Sequence, residues 1–211
     1  MTRRIWDLTH VLEDGMPVYP GDEPATFRHT HAVARDGFQQ SLYRLTNHSG
    51  THVDGPRHFL PDGRDLAAYE PVRFLVRALT VRVDSRREIS AADLTAPLHT
   101  LRPGDGVILV TGSYLKWGSP EYFGPFPVLS ETAAAWLVKR GVSLLAVDTA
   151  SVDPVGTTRY PIHHRLLAAD CLIVENLAYV PDLPSPIRMA ALPLKVRDSN
   201  GAPARVLAWE D

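Results

Sequence analysis

Cysteine is nearly missing from this chain: Cys171 is the single one among 211 residues. An intrachain disulfide is therefore excluded, and a reducing cytoplasm is the expected location. Cys171 stands in the apolar run Cys171-Leu172-Ile173-Val174 and reads as a small buried hydrophobe, not a nucleophile. Long apolar runs are also lacking. None approaches the roughly 20 residues of a membrane span, and residues 1–7 lack the apolar core of a signal peptide. No charge of one sign dominates. Lys and Arg number 22 against 24 Asp and Glu, for a net charge of −2. That balance argues against a nucleic-acid surface or an electrostatic membrane anchor. Gly-x-Gly-x-x-Gly, the P-loop and Gly-x-Ser-x-Gly are all absent. Thr111-Gly112-Ser113 resembles a nucleophile turn only superficially and reads as a strand-to-loop junction.

The length suits one domain, residues 1–211, with a sizeable core. No repeat or linker divides it. Strands are expected over residues 5–8, 26–33, 41–46, 74–83, 106–110, 142–147, 171–177, 188–196 and 204–209. Residues 16–22 are too proline-rich for a helix and read as an ordered loop. Ser90 and Asp93 have the spacing of a helix start. Ser130 caps the clearest helix, 131–140, with Ala133, Trp136 and Leu137 on one face and Gly141 beyond its end. A shorter helix is expected over 163–169. Only the middle of the chain has a β-α-β rhythm, so the fold class is α/β or α+β with substantial non-parallel sheet.

The chemistry concentrates in residues 47–58, Asn-His-Ser-Gly-Thr-His-Val-Asp-Gly-Pro-Arg-His. His48, His52, Asp54 and His58 supply the nitrogen and oxygen donors that divalent metals favour. Gly50, Gly55 and Pro56 break any regular helix, so a turning loop can aim several side chains at one centre. A zincin reading of His48 and His52 fails, because Ser49 stands where that motif carries its glutamate. Asp54 has two oxygens and can bridge two metals. His58, beyond the Gly55-Pro56 turn, is either a further ligand or a general acid/base. Ligands from one loop do not complete a site, and the candidates elsewhere are His163, His164 and Glu175. Glu175 follows an apolar run, where a carboxylate is costly unless paired or metal-bound. A metal here would acidify water from about 15.7 toward about 7 and polarise a carbonyl. His58, as an imidazole of ordinary pKa near 6.5, can move the proton. Tyr19, Phe59, Tyr114, Trp117 and Phe123 are candidates to line a pocket for a flat ligand.

The segment from His48 to His58 resembles, without a gap, the His-x-Gly-Thr/Ala-His-x-Asp-x-Pro-x-His hallmark of the metal-dependent cyclase/kynurenine formamidase family. The likeness continues in Asp7-Leu8-Thr9-His10, residues 17–22, residues 148–154, Val174-Glu175-Asn176-Leu177 and residues 191–195. It implies a mixed sheet or barrel-like β/β/α fold with few flanking helices, usually as a homodimer. It implies one or two divalent metals, zinc or manganese. His48, His52 and Asp54 would be ligands, with Asp54 shared; Glu175 would complete the first site. The family's distal histidine stands twelve residues before that glutamate, which selects His163 over His164. His58 would be the catalytic acid/base. Tyr19 lies where the formamidases carry a tryptophan against the substrate ring, and Arg57 replaces a small or apolar residue. Residues 114–126 are more like the broad cyclase branch. The implied activity is metal-dependent amide hydrolysis, foremost of N-formylkynurenine, with isatin-type cyclic amides alongside. A biosynthetic cyclase or dehydratase would need the same ligands. A binding protein without catalysis would have no need of His58.

Overall fold

Short apolar runs, continuous in the central strands, supply the sheet, and their pairing closes it on itself. The computed structural model describes residues 4–83, 88–178 and 183–210. In chain order these form β1 (Ile5–Asp7), β2 (Thr26–His31), α1 (Val33–Asp36), β3 (Gln40–Arg44), β4 (His52–Asp54) and β5 (Leu75–Arg82). There follow β6 (Glu88–Ile89), α2 (Ala91–Thr95), β7 (Gly106–Val110), β8 (Val128–Leu129), α3 (Glu131–Lys139) and β9 (Leu144–Val147). The chain finishes with α4 (Pro161–Ala168), β10 (Leu172–Glu175), β11 (Ile187–Pro193) and β12 (Gly201–Trp209).

The main sheet runs β12-β11-β5-β7-β9-β10-β4 and returns from β4 to β12, with β1 added outside β12. Strands β5, β7, β9 and β10 are parallel neighbours. The remaining junctions are antiparallel, including β4 against both β10 and β12. The expected mixed, barrel-like sheet with few helices is therefore the fold. β2 and β3 pair as a separate hairpin.

Two layers of core follow from the strand period of two. Val53, Ala78, Ala146, Val174, Ala191, Ala202, Val206 and Ala208 share one cluster inside the closed sheet. The small side chains suit the narrow interior of a closed sheet. Their neighbours Leu79, Leu109, Leu145 and Ile173 point outward, into a second cluster with Leu137 and Leu166 of the helices. A fully buried leucine of this kind contributes about 1.5–3 kcal/mol. Helix α3 begins where Ser130 Oγ accepts the Ala133 N–H at 3.0 Å. Ser90 and Asp93 form a reciprocal capping box at α2. Cys171 is fully buried in the outer core, and burial pushes its thiol up to about 12.

Two local readings change. Residues 52–54, expected within a loop, are strand β4, because β10 and β12 bond both of its edges. Helix α4 starts at Pro161, before the expected residue, since proline's fixed φ and missing N–H suit a first helical position. Among the described residues, no helix is long and apolar enough to cross a membrane.

Candidate metal centre and its cavity

Strand β4 is where sequence becomes chemistry. Val53 points into the barrel, so its neighbours His52 and Asp54 point outward. On β10 the register sets Glu175 opposite His52 and Val174 opposite Val53, which brings the Glu175 carboxylate to the same outer face. Helix α4 covers that face and contributes His163. These four residues are at most 5 % exposed.

Nε2 of His52 lies 3.2 Å from Oδ1 of Asp54 and 3.6 Å from Oε2 of Glu175. Nε2 of His163 lies 3.3 Å from Oε1 of Glu175 and 3.6 Å from Oδ2 of Asp54. At 3.6 Å the last contact is electrostatic and not a hydrogen bond. The far nitrogens are tied down. His52 Nδ1 sits 2.9 Å from the Gly50 carbonyl, which can only accept, so Nδ1 carries the proton. His163 Nδ1 sits 2.7 Å from Oδ2 of Asp153. Asp153 is itself fixed by the N–H groups of Ile162 and His163 at the start of α4. Glu175 Oε1 accepts the Val152 N–H at 3.0 Å.

His48 stands at the edge of this cluster, Nδ1 2.7 Å from Oδ1 of Asp54 and Nε2 2.9 Å from Oδ1 of Asn200. Its ring stacks on His58, centroids 3.9 Å apart. The ring is seated against Gly201, where an added Cβ would fall 2.4 Å from His48 Cε1. Gly50 is left-handed, with φ +62°.

The electrostatics follow from crowding acids and imidazoles out of water. Burial opposes charge on His52, but Asp54 and Glu175 outweigh it and push the imidazole up to about 9. His163 is likewise raised: burial opposes, and Asp153, Asp54 and Glu175 prevail. Burial would raise Asp54, yet His52 and His48 hold it well below the usual carboxylate range. At His58 burial outweighs the pull of Asp54, the imidazoles of His48, His163 and His52 add to it, and the ring is pushed down to about 4.

A divalent ion fits these residues. Of the buried side-chain atoms without a hydrogen-bond partner among the described residues, two, His52 Nε2 and Asp54 Oδ2, lie in this cluster, and a native protein rarely leaves such atoms unsatisfied. Ligand atoms of His52, Asp54 and Glu175 lie within 4.8 Å of one another, as do those of His48, Asp54 and His58. Asp54 belongs to both groups. With carboxylate and imidazole donors together, the set suits a divalent cation.

The cluster forms the floor of a cavity of about 500 Å³. Tyr19, Phe59, Trp117, Phe123 and Tyr160 line its walls. Tyr114 does not line it and packs against the barrel core. His164 is exposed, beside Phe59 at 5.3 Å between centroids. Arg57 turns to Asp198, 3.1 Å away. Thr111-Gly112-Ser113 is a strand end tied to Asp148: its carboxylate accepts the N–H groups of Thr111 and Gly112. Sequence reasoning assigned no role to Asp153, Tyr122, Asn176 or Gly201. Asp153 is separated from His163 by a loop and has no periodic signal.

Comparison with known proteins gives a consistent picture. Residues 6–154 match the model of the family described as "Putative cyclase". A kynurenine formamidase of Erythrobacter litoralis is 32% identical, over 99% of this chain and 94% of that protein. Isatin hydrolase A from Ralstonia solanacearum superposes with a TM-score of 0.88 at 21% identity, covering 99% of this chain and 92% of the other. A potential metal-dependent hydrolase with cyclase activity superposes with a TM-score of 0.84 at 23% identity, over 100% and 99%.

Proposed function

The chain belongs to the putative cyclase family, and on that premise we propose that it is a metal-dependent hydrolase of carbon–nitrogen bonds, foremost an arylformamidase. Its substrate is N-formylkynurenine or a close aryl formamide, and its products are formate and the aryl amine. The observation that carries the reading is the meeting of His52, Asp54, His163 and Glu175, with two unpartnered buried atoms, on the floor of an aromatic cavity.

His52, Asp54, His163 and Glu175 would hold a divalent ion, zinc foremost and manganese as the alternative. His48 and Asp54 would serve a second ion if one binds. A divalent ion supplies carbonyl polarisation and acidified water at neutral pH. The protein's own groups do the rest. Tyr19, Phe59, Trp117 and Phe123 clasp a flat ring and exclude bulk water. His58 is neutral near pH 7, the form that accepts a proton. It takes a proton from the attacking water and returns it to the amine nitrogen as the C–N bond breaks. Asp153 and the Gly50 carbonyl keep the Nε2 atoms of His163 and His52 free of protons once a cation replaces the charge there.

The whole chain acts as one domain in a reducing cytoplasm, as a homodimer or higher homo-oligomer. Support for self-association comes from the hairpin β2–β3 and its turn, where Phe38, Leu42 and Tyr43 are about half exposed or more.

The test is turnover of N-formylkynurenine by zinc- and manganese-loaded protein in oxygen-18 water. Label in released formate supports hydrolysis. Isatin and formanilide belong alongside, because Tyr19 stands at the ring. Failure of the fully loaded protein on all three would exclude the amide hydrolase and leave the cyclase or dehydratase chemistry.

A further inference from the structure

We propose that Asn176 is a positioning residue for His52, acting through the Gly50 carbonyl and itself oriented by Tyr122. The inference rests on the reading of His52 as a metal ligand.

Three observations carry it. Asn176 Nδ2 lies 2.9 Å from the Gly50 carbonyl oxygen, the same atom that accepts the proton of His52 Nδ1. Tyr122 Oη lies 2.6 Å from Asn176 Oδ1. All of these groups are buried, with Tyr122 at 1% exposure and Asn176 at 7%. The proton directions are then determined. The Gly50 carbonyl can only accept, so the amide nitrogen of Asn176 must face it. The amide oxygen therefore faces Tyr122, which donates. Reversing the amide would set oxygen against oxygen at Gly50.

The backbone supports the same role. Asn176 follows Glu175 directly and adopts a left-handed φ of 58°. Asparagine tolerates this conformation better than most residues. Its own carbonyl accepts the Thr51 hydroxyl at 2.6 Å, and its N–H reaches the Thr149 carbonyl at 3.1 Å. One residue thus pins the turn after Glu175 to the turn before His52. With Gly50 O held by two donors, His52 keeps its proton on Nδ1 and presents Nε2 to the carboxylates.

The phenol also reaches the substrate side. Tyr122 packs edge-on against Trp117, centroids 5.0 Å apart, and Trp117 lines the cavity. Removing the hydroxyl alone leaves that packing in place, which separates the positioning role from the wall.

The experiment measures the Zn²⁺ dissociation constant, by competition with a chromogenic chelator, for wild type, Tyr122→Phe, Asn176→Gly, the double variant and His52→Ala. Glycine accepts the left-handed backbone, so Asn176→Gly removes the amide with little strain. We expect Asn176→Gly to weaken Zn²⁺ binding by about 10-fold, the lower end of the cost of losing a ligand's own outer partner, because Asn176 acts one hydrogen bond further out. Tyr122→Phe should weaken it less, in the same direction. Tyr122→Phe should add nothing in the Asn176→Gly background, because the two act in series. Unchanged Zn²⁺ affinity in both single variants, with a lowered Tm of the metal-free protein, would overturn the proposal and leave a purely structural role. Additive effects would overturn the relay through Tyr122. If His52→Ala itself binds Zn²⁺ as wild type does, the ligand reading fails first, and the proposal with it.

Discussion

Asp153 and His163 face each other at 2.7 Å, Oδ2 to Nδ1, and this contact decides which nitrogen of the histidine meets the cluster. The carboxylate claims the Nδ1 proton, leaving Nε2 toward Glu175 and Asp54. An Asp153→Asn variant keeps the shape and loses the charge. It should weaken metal binding by about 10- to 100-fold, read by zinc titration. His163→Ala should abolish a ligand, whereas His164→Ala, at an exposed position, should leave metal stoichiometry as in wild type.

His58 should separate catalysis from binding. Its ring stacks on His48, yet burial holds it neutral. His58→Ala should retain metal and lose about 10²–10⁴-fold in turnover. Saturating zinc or manganese should not restore it. A metal-depleted variant revived by added ion would make His58 a ligand.

Gly201 should prove intolerant for lack of space alone. A methyl group there meets the His48 ring at 2.4 Å. Gly201→Ala should displace His48 and cost about a hundredfold in kcat/KM, with far-UV circular dichroism unchanged. Wild-type activity would show that the ring moves aside at no cost.

Much of this was legible in the sequence, and the gaps have physical causes. Strand β7 over Gly106–Val110 and helix α3 with its Ser130 cap follow from local signals, apolar continuity and capping. Strand β4 does not. Its three residues are too few for a periodic signal, and its pairing partners lie more than a hundred residues away. Closure of the barrel depends on that same remote pairing. His48, His52, Asp54 and His58 stood out because their residue types crowd one segment, Glu175 because a carboxylate follows an apolar run, and His163 was selected over His164 only by the family resemblance. Asp153, Asn176 and Tyr122 were not, because their roles lie in hydrogen bonds made across the fold.

His10 makes the fold sensitive to mild acid. Its ring stacks on Trp117 at 4.0 Å, Nε2 has no hydrogen-bond partner among the described residues, and burial lowers its pKa to about 4. Above the unfolded value near 6.5, both states are neutral and the His10 contribution is complete. Between 6.5 and 4 the unfolded chain binds a proton that the folded protein refuses, so stability falls as pH falls. His10→Phe keeps the stack and removes the titration. The drop in Tm between pH 7 and pH 5 should be smaller in that variant than in wild type. Equal drops would remove His10 from the acid response.

Asp54 belongs to both donor groups, and on the proposed reading it holds the metal centre together. Metal content of desalted, zinc-loaded wild type and Asp54→Ala, measured by elemental analysis on folded protein, tests it most directly. Wild type should retain one or two ions per chain, and Asp54→Ala should lose most of them. Full metal content in Asp54→Ala would contradict the assignment of the site.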